Sequence, residues 1–168
     1  WPTLKRVDYT LSSRPFLVNR MRWVQRRGSD FRYDGLDSLI GYPIALSRGY
    51  MYSDELDDNA RLQKGYAASF VQAAAMVLAG RVDLTLEDER TVLFHLEREP
   101  GHERDELSFV PGEFRRAGLS LVVRSDHPQA TDIVATFERE IAAMVEDGSY
   151  AAIFRRHAMP APDALPQY

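Results

Sequence analysis

The stretch "AGRVDLTLEDER", residues 79–90, decides how the chain is read. Gly80 stops whatever precedes it, and Val82, Leu84 and Leu86 then recur at every second position, the period of a strand with one apolar face. That strand, over 82–87, delivers Glu87, Asp88 and Glu89 to one spot. Upstream, "SFVQAAAMVLAG" places Phe70, Val71, Ala74, Val77 and Leu78 at helical spacing, between Ser69 as an N-cap and Gly80 as a stop. A helix over 70–79 therefore runs straight into the strand.

The same alternation continues outward. "YPIALSRG" reads as an almost continuous apolar strand over 42–48 ending at Gly49, and "YSDELDDNA" opens a helix on Ser53 with acids in its first turn. Strands alternating with helices predict parallel βαβ units, with 42–48 and 82–87 close together in a mainly parallel sheet. Before them, "RMRWVQRRG" alternates Met21, Trp23 and Gln25 against Arg20, Arg22 and Val24, a weak strand signal. "FRYDGLDSLIG" reads as a loop and a single turn capped at Asp37 and ended by Gly41. Toward the other end, "GLSLVVRSD" predicts a strand through Leu119, Leu121 and Val123. Ile133, Val134, Phe137, Ile141, Met144 and Val145 predict a long amphipathic helix over 131–146. Ser149 caps a short helix through Phe154, and "MPAPDALPQY" reads as a tail or an extended strap.

Composition narrows the function classes. With 168 residues and 45% hydrophobic content the chain can bury a real core, so wholesale disorder is excluded. A net charge of -4, without a basic block, argues against nucleic acid as a partner. There is no cysteine, hence no disulfide and no thiolate metal site. No apolar run approaches the roughly 20 residues that span a bilayer. Trp1 in place of an initiator Met reads as a processed, cut or engineered beginning. "HLEREPGHERDE" gathers His95, Glu97, Glu99, His102, Glu103, Asp105 and Glu106 without the spacing of a tight metal site, and reads as a solvated surface hairpin around Pro100-Gly101. Phosphate-loop, nucleophile-elbow and HExxH signatures are absent, so no cofactor, metal or catalytic residue is assigned.

Five phrases in order carry a resemblance: "TLKRVDYTLSSRPF", "GLDSLIGYPIALSRGY", "AAAMVLAGRVDLTLEDE", "LVVRSDHP" and "AAMVEDGSYAAIFRRH". Together they resemble the bacterial extracytoplasmic solute-binding proteins of the polar amino-acid type, which are two-lobed, type II periplasmic binding proteins. The resemblance implies an α/β fold with a complete second lobe over 20–115, and with 1–19 and 116–168 as remnants of a first lobe whose N-terminal half is absent. It also implies a periplasmic receptor of an ABC importer that works with a membrane permease, is no enzyme, and captures an amino acid or similar small polar solute. Lobe closure would hinge on crossing strands near 18–24 and 112–120. A ligand-sensing module of a membrane signalling protein and a periplasmic dehydratase-like enzyme are the alternatives on this scaffold. The orphaned first-lobe face implies a dimer or domain swap.

The resemblance also assigns site residues. Ligands of open parallel sheets lie beyond the carboxyl ends of the strands, where Asp88 stands. Acids at a helix start ordinarily serve as caps, and on the residues alone that reading is the stronger for Glu87, Asp88 and Glu89. By resemblance, Asp88 alone pairs with a ligand ammonium, and Arg6 forks onto a ligand carboxylate. The turn after Gly49 would offer backbone donors, with Met51 where the family places a hydroxyl and with Tyr50 and Tyr52 flanking it. Trp1 stands where a small hydroxyl residue is usual. These departures point to a larger, aromatic-lined or less anionic ligand, or else to Tyr50, Tyr52 and Trp1 as packing residues.

Overall fold

The computed structural model describes residues 9–98 and 103–159 of the protein. In chain order the strands are β1 (Thr10–Ser12), β2 (Leu17–Arg26), β3 (Ile44–Ser47), β4 (Lys64–Ala67), β5 (Leu84–Asp88), β6 (Leu107–Phe109), β7 (Arg115–Leu119) and β8 (Val122–Arg124). The helices are α1 (Asp54–Asp57), α2 (Phe70–Leu78), α3 (Glu89–Arg98), α4 (Glu103–Glu106), α5 (Ala130–Glu146) and α6 (Ser149–Arg156), with one 3-10 turn at Leu36–Leu39. The chain divides into two units, Arg20–Arg116 on the one hand and Trp1–Asn19 with Ala117–Tyr168 on the other. It passes from one to the other along β2 and β7.

In the unit Arg20–Arg116 the sheet order is β4-β3-β5-β2-β6, and β7 also pairs with β2. β3 runs parallel to both β4 and β5, with Ile44 opposite Leu84 and Ala45 opposite Thr85. β2 is antiparallel to β5 and to β6. The sheet is therefore mixed, which corrects the expectation of a mainly parallel one. Helical crossovers impose the parallel direction on β3, β4 and β5. No such crossover leads into β2.

The pleat sorts the core. Trp23 lies opposite Leu86, and both are fully buried, as are Ile44, Leu46 and Leu84 of the same face. On the other face Val24, Ala45 and Ala67 pack with Phe70, Ala73, Ala74 and Val77 of α2 and with Val92 of α3. Val24 is buried although the sequence pattern set it with the solvent-facing arginines, because β2 is an interior strand covered on both sides. β4, "KGYA", had no sequence signal of its own. It is a short edge strand whose Gly65 and exposed Tyr66 break any apolar alternation.

Local signals place most helix ends. Ser53 and Ser69 accept from the amides of Leu56 and Gln72, as N-caps do. Gly80, at φ 68°, ends α2 in the left-handed region. The 3-10 turn starts on Gly35 rather than Asp37, whose carboxylate instead meets Arg61 at 3.0 Å. α6 is entered through Gly148, in the left-handed region, with Ser149 already its first residue.

In the other unit β1 pairs antiparallel with β8, Leu11 opposite Val123. The single strand expected through 119–123 is two strands, because Leu121 turns to exchange hydrogen bonds with Ser13, N to O at 2.9 Å and N to Oγ at 3.0 Å. α5 lays Phe137 edge-on against Phe16 at 5.4 Å between ring centres, and Tyr150 Oη of α6 donates to the Phe16 carbonyl at 2.5 Å. Ala130 and Val134 of α5 are buried, while Ile133 and Val145 are exposed.

Candidate functional site

The parallel strands β4, β3 and β5 end together, and chain polarity brings Ala67, Ser47 and Asp88 to that edge. Behind β3 the chain turns at Gly49, φ 81°, through Tyr50 and Met51, both about half exposed, to Tyr52. Tyr52 is a core residue. It is 2% exposed, and its Oη accepts from the Ser47 amide at 2.9 Å and donates to the Leu86 carbonyl at 3.4 Å. Burial pushes its hydroxyl up to about 12. Of the two readings left open for Tyr52, the structure places it as a packing residue that ties β3 to β5. Tyr50 stacks obliquely on it at 5.8 Å and remains at the surface with Met51. Trp1 and Arg6 lie outside the described residues, as do the segment 160–168 and residues 99–102 of the acidic hairpin.

The three acids at the end of β5 separate. Asp88 is 6% exposed and closes the start of α3: Oδ1 accepts from the amides of Arg90 at 3.1 Å and Thr91 at 3.3 Å. Its Oδ2 accepts from the Arg20 amide of β2 at 3.0 Å. Burial nevertheless pushes its carboxyl above the usual range, against the pull of those amides and of the Arg90 charge. The capping arrangement anticipated on the residues alone is therefore present at Asp88, and the same carboxylate also holds the neighbouring strand.

Glu87 points to the opposite face of β5, beside Ser47, whose Oγ lies 3.5 Å from Oε2. Its Oε1 accepts from the Asp88 amide at 2.8 Å. At 3% exposure it is more buried than Asp88, and burial, reinforced by the Asp88 charge, pushes it up to about 7. Glu87 was not among the expected site residues. The pleat carried the signal, since the alternation that faces Leu84, Leu86 and Asp88 one way turns Thr85 and Glu87 the other.

Glu89 serves the ion-pair network. It meets Arg20 at 2.9 Å and Arg22 at 2.8 Å, and Arg20 reaches on to Glu113, which also holds Arg116 at 2.6 Å. Hydrogen bonds from Arg116 and Arg20 hold the Glu113 carboxyl down to about 2. Among the described residues no group of three His, Cys, Asp or Glu side chains is placed to hold a metal ion. His95 stacks against Phe70 and Phe94. No helix among the described residues is long and apolar enough to cross a membrane.

No protein-family model matches the chain, and neither does any curated protein sequence. Solved structures do. A mutant of ArgBP from T. maritima superposes with a TM-score of 0.75 at 19% identity, over 92% of this chain and 64% of that one. The GluR0 ligand-binding core from Nostoc punctiforme, in complex with (L)-glutamate, gives 0.74 at 17% identity, over 95% of this chain and 70% of that one. An ancestral arginine-binding protein bound to arginine gives 0.73 at 19%, over 92% and 67%. The chain thus spans about 64% of the length of the T. maritima protein. At these identities the likeness is one of architecture, and the protein has the α/β fold of the type II periplasmic binding proteins.

Proposed function

We propose that this chain binds a small polar ligand carrying a cationic group, an amino acid or a close relative, at the carboxyl ends of β3 and β5. The observation that supports it is Asp88: a buried carboxylate at the end of a parallel strand, in a fold whose solved examples include proteins bound to arginine and to glutamate. A carboxylate with two oxygens has about four acceptor sites, and three backbone amides leave Asp88 room for a ligand ammonium. Tyr50 and Met51 would form the exposed wall, and Arg6 the carboxylate clamp.

On this reading 20–115 is the second lobe, which carries Asp88, the stretches 1–19 and 116–168 belong to the first, and lobe closure completes capture. The biological setting we favour is the periplasmic receptor of an ABC importer, delivering to a membrane permease. A sensing module of a membrane signalling protein is the second reading, favoured by the likeness to the GluR0 core. A dehydratase-like enzyme on the same scaffold is the remaining alternative, and a dimer or domain swap of the chain belongs to the proposal. The deciding experiment is native mass spectrometry for co-purified small molecules, followed by calorimetry with the compounds found and with Asp88→Asn. Loss of affinity by about tenfold or more in Asp88→Asn supports the assignment. Unchanged affinity removes Asp88 from the site.

A further inference from the structure

Glu87 is a second, deeper carboxylate that the binding reading leaves without a task. Consecutive residues place its backbone about 3.8 Å from that of Asp88, yet the pleat sends the two side chains to opposite faces of β5. The charged and titratable groups around Glu87 do not neutralise it. Arg22, directly opposite on β2, is engaged by Glu89 and by the Val110 carbonyl. From the loop after β3 come Tyr50 and Tyr52, both uncharged at neutral pH, since their hydroxyls are held above the ordinary range. From its own segment come Asp88, which repels it, and then Glu89 and Arg90, of which Glu89 pairs with Arg20 and Arg22 and Arg90 favours the charge of Asp88. Ser47, the remaining neighbour, is neutral.

Glu87 is buried deeper than Asp88 and carries in addition the charge of that neighbouring residue, so it retains its proton in the empty site. Burial is the larger part of what holds that proton and the Asp88 charge the smaller, so a cation placed at Asp88 offsets the smaller part and favours release. We infer that Glu87 is a proton-linked positioning residue of the proposed site: it is protonated while the site is empty and releases its proton when an ammonium- or guanidinium-bearing ligand occupies Asp88. The inference rests on the binding reading above. The released proton passes to solvent and the ligand enters with its charge unchanged, so the net charge taken up by the site equals that of the ligand less one proton. Linkage makes the effect reciprocal. Cationic ligands bind more tightly as pH rises, and their binding lowers the pH at which Glu87 ionises.

The test uses the full chain with L-arginine as the probe. Carbon-detected NMR of side-chain carboxylates, with Glu87→Gln to identify the resonance, should show Glu87 titrating about two pH units above the exposed glutamates. Calorimetry at pH 6 and pH 8, in pairs of buffers of different ionisation enthalpy, should show arginine binding about tenfold tighter at the higher pH, with proton release near pH 7. Glu87→Gln should still bind, with the pH dependence flattened. A Glu87 resonance titrating with the exposed glutamates overturns the inference. So does arginine binding with the same pH profile in both proteins, which leaves the binding reading standing. If Glu87→Gln does not fold, the buffer-pair measurement on the natural chain decides, and binding without proton release overturns the inference. No arginine binding by either protein at either pH overturns the inference, whereas the reading beneath it is decided by the co-purified compounds.

Discussion

Three consecutive acids, 87–89, do three different things because the pleat and the helix start aim each of them differently. Asp88 is the one whose removal the fold should feel most directly. Asp88→Ala leaves the Arg20, Arg90 and Thr91 amides without their acceptor and should lower unfolding free energy by about 1 to 3 kcal/mol, measured by urea titration. Asn caps a helix nearly as well as Asp, but it offers one oxygen where the structure uses two. Asp88→Asn should therefore cost about 1 kcal/mol through the Arg20 link as well as any effect on ligand. Stability equal to the natural chain in Asp88→Asn would show that the Arg20 hydrogen bond adds nothing. Tyr52→Phe strands the Ser47 amide in the core and should cost about 1 to 2 kcal/mol, where a surface tyrosine such as Tyr50 would lose almost nothing on the same change.

At the scale of elements, α2 shows how local and distant groups divide the work of ending a helix. Ser69 begins it from within the sequence, and Gly80 lets the chain leave it. Arg26, far away in sequence on β2, donates to the last carbonyls, Val77 at 3.0 Å and Leu78 at 2.9 Å. Ser69→Ala should lower stability by about 1 kcal/mol. Gly80→Ala should cost a similar amount or more, because a Cβ there forces a left-handed residue and comes within 3.1 Å of the Arg26 guanidinium. Combining Gly80→Ala with Arg26→Ala should cost less than the sum of the two, since both disturb the same helix end. Simple additivity in thermal melts would separate the two groups. The caps and the stop were readable because each depends on its immediate neighbours. Arg26 was not, since nothing in "QRRG" says which carbonyls its side chain will meet.

For the whole molecule, two carboxyls with opposite shifts shape the response to pH. Glu113 is held down to about 2 from an ordinary 4.5, so its contribution is present above about 4.5 and is lost as pH falls toward 2. Glu87 is pushed up to about 7, so the folded chain holds its proton more tightly than the unfolded one. Its contribution is complete below about 4.5 and is lost as pH rises through 7. Together they place maximum stability near the acid side of neutrality. Urea unfolding followed by circular dichroism between pH 3 and pH 8 should show the decline from about pH 5 to pH 7. Glu87→Gln should flatten that decline, and Glu113→Gln should flatten the acid limb. A Glu87→Gln profile that falls as steeply as the natural one would remove Glu87 as its origin.

The sequence by itself determined the elements whose signals are short-range. Helices α2 and α5, the strands β3 and β5 and the parallel pairing between them follow from apolar period, serine caps and glycine stops acting within a few residues. The ordered phrases of a known family also carried the type II periplasmic binding fold, although no family model recognises the chain. Tertiary structure alone decided the antiparallel setting of β2, the existence of the edge strand β4, and the burial of Val24 and Tyr52. It alone separated Glu87 from Asp88, one beside Ser47 and the other across the Arg20 amide. The reason is physical. Period and capping are set by neighbours along the chain, whereas desolvation and the choice of hydrogen-bond partner are set by whatever the fold brings against a residue from far away in sequence.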